Sequence, residues 1–259
     1  MQLTIRICAH DIMFAQTEAD GKISAEPFNA KTGVSVAANM RQAFAESRML
    51  AEGHRCARVL VDSPVLLVPS EEYDGDGGKV AQLYSYTFGL DRSCEVRVVE
   101  MDEENVVAAF SVNRDLMLVL NDNFREVGFL PLVQPVWKAL HRDSYNTASR
   151  RMYAWLHGRQ MELVAFRQNR MAFSNRFDAA HAADAAYFLL NVWKQLGMKN
   201  GDDELCVIGD CPEKDKFLPM VREYVAHVSR TGASDLFGDD WAARTAELPL
   251  DLQALFMQQ

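Results

Sequence analysis

Leu3, Ile5 and Ile7 alternate with Thr4, Arg6 and Cys8, the period of two that marks a half-buried strand. A second apolar piece runs from Ile12 to Phe14, Asp20-Gly21 marks a turn, and Ile23 to Phe28 supplies a third strand. The period then changes. Val36, Met40, Ala43, Phe44 and the Met49/Leu50 pair recur at helical spacing, which predicts a helix over 35–51 with Ser35 as its cap and Gly53 past its end. Arg58 to Asp62 and Val65 to Val68 read as strands, the second bounded by Pro64 and Pro69. The acidic, glycine-rich run 71–78 reads as a surface loop. Beyond it the pattern predicts a strand from Val106 to Phe110, a short helix from Arg114 to Leu120 and a strand from Phe124 to Leu130. Pro131 and Pro135 open a helix reaching about His141, because proline fits only the first turn.

From about Ser149 the opening pattern returns. Strands are expected from Met152 to Leu156, Gln160 to Arg167 and Met171 to Phe177, with turns at His157-Gly158-Arg159 and Gln168-Asn169-Arg170. A helix over 179–196 follows, capped by Asp178 and stopped by Gly197. A strand from Glu204 to Ile208 and a helix over 213–228 complete the second half. Each half therefore reads as three strands, helix, strand, helix. The repeat lies in the hydrophobic pattern and not in residue identity.

Composition changes this picture little. The 259 residues are 49% apolar and 24% charged, the profile of an ordinary globular chain, and a net charge of −9 argues against a whole-molecule nucleic-acid binder. No apolar run approaches the ~20 residues that cross a bilayer, and the N-terminus lacks the basic start and apolar centre of a signal peptide. The five cysteines are scattered and form no Cys-x-x-Cys, so free thiols in a reducing cytoplasm are expected.

Several segments carry a family resemblance. They are Leu67-Val68-Pro69 with Glu71 and Tyr73; Ala109-Phe110-Ser111-Val112; Asp184 to Leu190 with Trp193, Gln195 and Leu196; and Leu248-Pro249-Leu250-Asp251-Leu252-Gln253-Ala254-Leu255. They resemble a family of Bacteroidota proteins of unestablished function. That resemblance implies an α/β chain of two ribonuclease H-like (βββαβα) lobes in an actin-like ATPase arrangement. The first lobe would cover 1–145, with an inserted region near 70–104, and the second 146–259, with an acidic C-terminal tail. In architecture it is similar to the actin-like components of type II secretion and type IV pilus systems, a fold-level analogy with little functional weight.

An actin-like fold implies ATP and magnesium between the lobes, with the phosphates held by the first hairpin turn of each. Glycines there let backbone N–H groups approach the phosphates, hydroxyls add hydrogen bonds, and an aspartate organises the metal. Here the first turn reads Cys8-Ala9-His10-Asp11-Ile12, without glycine or hydroxyl, and the second Leu156-His157-Gly158-Arg159-Gln160, without a carboxylate. The adenosine-side signature of paired glycines is reduced to Gly209. Asp11, Gly158 and Gly209 are thus the candidate nucleotide-binding residues, fragments of the motif. No catalytic residue, metal site or obligatory cofactor is expected.

Ribonuclease H-type chemistry needs carboxylates from the first strand, first helix and fourth strand around two metals. Asp62 with Glu46 or Glu52, and Asp210 with Asp184, supply two positions in each half, but neither first strand contributes an acid. No His-Glu-x-x-His or Gly-x-Ser-x-Gly motif is present. One charge asymmetry remains. Between Lys138 and Arg176 eight basic residues face only Asp143 and Glu162, a local +6, and Arg150, Arg151, Arg159, Arg167 and Arg170 are candidates for a polyanion or RNA face. The leading expectation is a non-catalytic, cytoplasmic actin-like protein with a degenerate nucleotide cleft, acting through a protein partner or as a homodimer. An ATP-binding member of the class and a polyanion-binding factor are the alternatives.

Overall fold

The computed structural model describes residues 2–8, 11–145, 147, 149–168 and 170–258. Ala9, His10 and Asn169, which the sequence places in turns, lie outside the described residues. The chain divides into two compact units, one of residues 1–102 and 106–134, the other of residues 103–105 and 135–259.

In the first unit, β1 (Gln2–Ile7), β2 (Asp11–Thr17) and β3 (Ile23–Asn29) form an antiparallel meander. Leu3, Ile5, Ile12 and Phe14 are buried beneath it, but Thr4 and Arg6 are buried too, so β1 is a central strand covered on both faces and not the half-buried strand its alternation suggests. The expected helix over 35–51 is two helices, α1 (Val36–Glu46) and α2 (Arg48–Ala51). Ser47 makes the break: its N–H donates to the Ala43 carbonyl (2.8 Å), ending α1, while its hydroxyl accepts from the Leu50 N–H (3.2 Å), starting α2. β4 (Cys56–Val61) returns parallel to β1, and β8 (Glu126–Pro131) parallel to β4, giving the order β3-β2-β1-β4-β8.

Between β4 and β8 sits a second, three-stranded sheet in the order β5-β7-β6, from β5 (Val65–Pro69), β6 (Cys94–Met101) and β7 (Val106–Asn113). The acidic run 71–78 is not wholly loop. Asp76 accepts from the Gly78 N–H (2.9 Å) and starts α3 (Gly77–Phe88), whose Val80 and Tyr84 are buried. Tyr84 donates its hydroxyl proton toward the Pro64 carbonyl (2.9 Å). α4 (Arg114–Asn123) follows β7, with Asn113 as its cap accepting from the Leu116 N–H (3.0 Å).

Apart from residues 103–105, the second unit starts at Pro135, within α5 (Gln134–Ser144). The sequence placed the lobe boundary after residue 145, but the buried Val136, Trp137 and Leu140 of α5 belong with the later chain, and Gln258 bonds back to the Pro135 carbonyl (2.9 Å). β9 (Arg151–His157), β10 (Gln160–Arg167) and β11 (Arg170–Asp178) form the second meander, and α6 (Ala182–Gln195) packs on it through Ala185, Leu189, Val192 and Trp193. β12 (Glu204–Gly209) runs parallel to β9.

The helix expected over 213–228 stops early. α7 covers Lys214–Arg222, and β13 (His227–Thr231) adds a fifth strand parallel to β12, so the order is β11-β10-β9-β12-β13. Both units thus carry the same five-strand sheet, one element richer than the pattern read from the second half of the sequence. Nor is the C-terminus a plain acidic tail. It folds into α8 (Ala233–Phe237), α9 (Asp239–Arg244) and α10 (Leu250–Met257), and α10 buries Leu252, Ala254, Leu255 and Phe256. Trp241 anchors α9 to it by donating its indole N–H to the Gln253 carbonyl (3.3 Å).

Candidate functional site

In the first unit the parallel strands β1 and β4 end beside a cavity of about 360 Å³. The crevice outside the carboxyl ends of parallel strands is where α/β sheets commonly bind ligands. Ile7, Ile12, Val34, Val36, Val61 and Leu116 line it, with Asn39, Asp62, Ser63, Ser111 and Asn113 as polar members. Asn39 is buried and holds one wall: its side-chain oxygen accepts from the Lys31 N–H (2.8 Å), and its amide donates to the Lys31 and Val34 carbonyls (3.3 and 3.2 Å). That clamp fixes the β3–α1 loop and leaves Val34 partly in solvent at the mouth.

Asp11 opens β2. Its carboxylate accepts from the Arg6 guanidinium at 2.6 Å, an ion pair across the β1–β2 hairpin. An aspartate so engaged is already neutralised by its own strand neighbour.

Gly158 and Gly209 belong to the second unit. Gly158 turns β9 into β10 with φ +57°, a conformation L side chains adopt reluctantly. Gly209 ends β12 with φ +77°, opposite Leu156 of β9, and a Cβ there would overlap the Leu156 carbonyl oxygen. That oxygen accepts the Asp210 N–H (3.0 Å), and the Gly209 carbonyl accepts from Lys214 Nζ (2.6 Å). Both glycines have a backbone reason to be glycine.

The basic candidates separate into engaged and exposed. Arg151 is half-buried and donates to Glu204 (2.7 Å) and Asp143 (2.8 Å). Tyr153 donates to the same Asp143 oxygen (2.7 Å); burial first, then this carboxylate, push its phenol well above the usual range. Arg150 caps the end of α6 through the Leu196 and Gly197 carbonyls (2.9 and 3.0 Å). Arg176 bonds to the buried Glu162. Arg159 and Arg167 are exposed, but Arg159 precedes β10 and Arg167 is its last residue, so the eight-residue strand sets them about 25 Å apart. Arg170, also exposed, lies next to the β10–β11 turn. The five candidates do not form one patch.

Asp62, Glu46, Glu52, Asp184 and Asp210 do not converge either. Among the described residues the group whose ligand atoms do approach one another is Glu103, Glu104 and His141, all within 4.8 Å. Glu103 and Glu104 lie on the β6–β7 turn and His141 on α5, so no local spacing announced them.

Both units repeat one five-strand sheet order, and the three-stranded sheet is inserted in the first. The DUF3822 description, "protein of unknown function", matches residues 1–228.

The chain belongs to the DUF3822 family.

It has the actin-like ATPase fold. A Bacteroides thetaiotaomicron protein described as having an actin-like ATPase fold and unknown function is similar to it, with a TM-score of 0.85 at 20% identity, covering 98% of this chain and 95% of that one. The PilM–PilN type IV pilus biogenesis complex contains a chain similar to this DUF3822 member, with a TM-score of 0.63 at 9% identity, covering 99% and 97%. No curated protein matches. No helix among the described residues is long and apolar enough to cross a membrane.

Proposed function

We propose that this DUF3822 protein is a non-catalytic interaction component in the cytoplasm, which binds a partner protein through the cavity of its first unit. The observation that carries this is the cavity itself. It is largely apolar, sits at the carboxyl ends of β1 and β4, and carries Asp62, Ser111 and Asn113 among its few polar lining residues. Its volume lies in the range of small-ligand sites and accommodates one or two apolar side chains of an inserted segment. Support also comes from the positions an ATPase would use. Asp11 is paired with Arg6, and the Gly209 carbonyl is taken by Lys214. The PilM–PilN complex is named for a protein pairing, which agrees with a binding role for this architecture.

Panning a displayed peptide library against the full chain tests the proposal. The expected result is a set of peptides sharing an apolar anchor, with binding lost in Val34→Glu at the cavity mouth. Selected peptides that bind Val34→Glu equally well would contradict it. The polyanion alternative predicts salt-dependent heparin retention that falls when Arg167 and Arg170 are reversed; unchanged elution removes it.

A further inference from the structure

Glu104 is an acidic side chain with 0% exposure, and neither of its carboxylate oxygens has a hydrogen-bond partner among the described residues. A buried carboxylate in that condition is costly unless a cation compensates it. His141 Nδ1 lies 3.3 Å from Oε1, outside hydrogen-bonding geometry for that carboxylate. Ring stacking holds that imidazole in place: Phe166 lies 5.0 Å and Tyr145 4.9 Å from it, centroid to centroid. On the other side the backbone is fixed as well. Asn105 adopts φ +56°, closing the β6–β7 turn, and the Glu104 carbonyl accepts from the Met171 N–H (3.1 Å). The exposed Glu103 brings a second carboxylate within 4.8 Å of the other ligand atoms.

We infer that Glu103, Glu104 and His141 form a binding site for a first-row divalent cation of the Zn²⁺ type. Zn–N and Zn–O bonds of about 2.0–2.1 Å at tetrahedral angles set neighbouring ligand atoms about 3.3–3.4 Å apart. The Glu104–His141 separation is that edge. One imidazole nitrogen and two carboxylates suit zinc or manganese, whereas magnesium favours an all-oxygen set. Three protein ligands leave a fourth position for water on the solvent side, where Glu103 is exposed. The ion would neutralise Glu104 and pin the β6–β7 turn to α5.

The test is calorimetric titration of Zn²⁺, and separately Mg²⁺, into the full chain after removal of metal with EDTA and dialysis. Co²⁺ serves as the spectroscopic probe of the ligand set. The expected result is one Zn²⁺ per chain, a raised Tm, a Co²⁺ spectrum of nitrogen and oxygen ligation, and little response to Mg²⁺. Glu104→Gln should abolish the binding. Glu103→Gln changes an exposed side chain, leaves the fold intact and should weaken binding at least tenfold, so the site stays testable if the buried variant fails to fold. Absence of saturable Zn²⁺ binding would overturn the assignment. So would affinity unchanged in Glu103→Gln, or thiolate charge-transfer bands with Co²⁺, which would place the metal on cysteines.

Discussion

Gly209 faces Leu156 across the parallel β12–β9 pair so closely that a Cβ on the glycine would overlap the leucine's carbonyl oxygen. The oxygen cannot retreat freely, because it accepts the Asp210 N–H. The requirement for glycine is therefore set by the chain and needs no ligand. Gly209→Ala should destabilise the protein by about 2–4 kcal/mol, a positive φ and a backbone clash acting together. Gly158→Ala has the positive φ without the clash and should cost about 1 kcal/mol. Urea denaturation of both variants checks the difference; equal costs would contradict it.

Asp11 and Arg6 form an ion pair with the arginine mostly buried and the aspartate about half exposed. Removing the carboxylate in Asp11→Ala should lower stability by about 1 kcal/mol, since the aspartate's exposure limits what the pair contributes. The measurement is the urea midpoint at neutral pH. A stabilised Asp11→Ala variant would indicate a carboxylate held at a cost for another purpose.

Glu162 gives the molecule an acid-sensitive element. Burial alone would raise its carboxyl, but His157 and Arg176 outweigh burial and hold it below its ordinary value of 4.5. A carboxylate depressed in the folded state contributes stability above the ordinary value, and that contribution fades as pH falls below it toward the folded value. Glu204 is similarly held low, against burial, by Ser229 and Arg151. Glu162→Gln should therefore flatten the loss of stability below pH 4.5 without abolishing it. Denaturation midpoints from pH 7 down to pH 3 provide the comparison, and parallel curves for wild type and variant would contradict the assignment.

Arg151 is tied to two carboxylates and Arg167 is the exposed last residue of β10. Arg151→Ala leaves Asp143 and Glu204 without their cation and should cost about 2–4 kcal/mol, whereas Arg167→Ala should stay within about 0.5 kcal/mol. Thermal unfolding of the two variants side by side measures this.

The strongly periodic elements were legible from sequence: both meanders, the helix after each, and β4 and β12 follow from alternation and helical spacing, with Ser35 the cap of α1; the expected Asp178 cap fails, since α6 starts at Ala182 after His181. α3 was obscured because its first two residues are glycines inside an acidic run, and only the Asp76 cap and the Val80–Tyr84 spacing disclose it. β13 was missed, its first two residues falling in the helix expected over 213–228, since its polar Ser229-Arg230-Thr231 offers no alternation. At the candidate sites, single residues were legible and their partners were not. Arg6 pairs with Asp11 across a hairpin, while Glu104 meets His141 from a distant segment, and only the tertiary fold creates that second juxtaposition.

The proposed protein-binding role requires that the turns which grip phosphates in an active ATPase of this fold do not bind nucleotide here. Calorimetric titration of the full chain with ATP in excess magnesium tests it most directly. The predicted result is no saturable heat at nucleotide concentrations up to about 1 mM, a free energy weaker than about −4 kcal/mol. A one-to-one isotherm with a micromolar Kd, accompanied by a raised Tm, would contradict it.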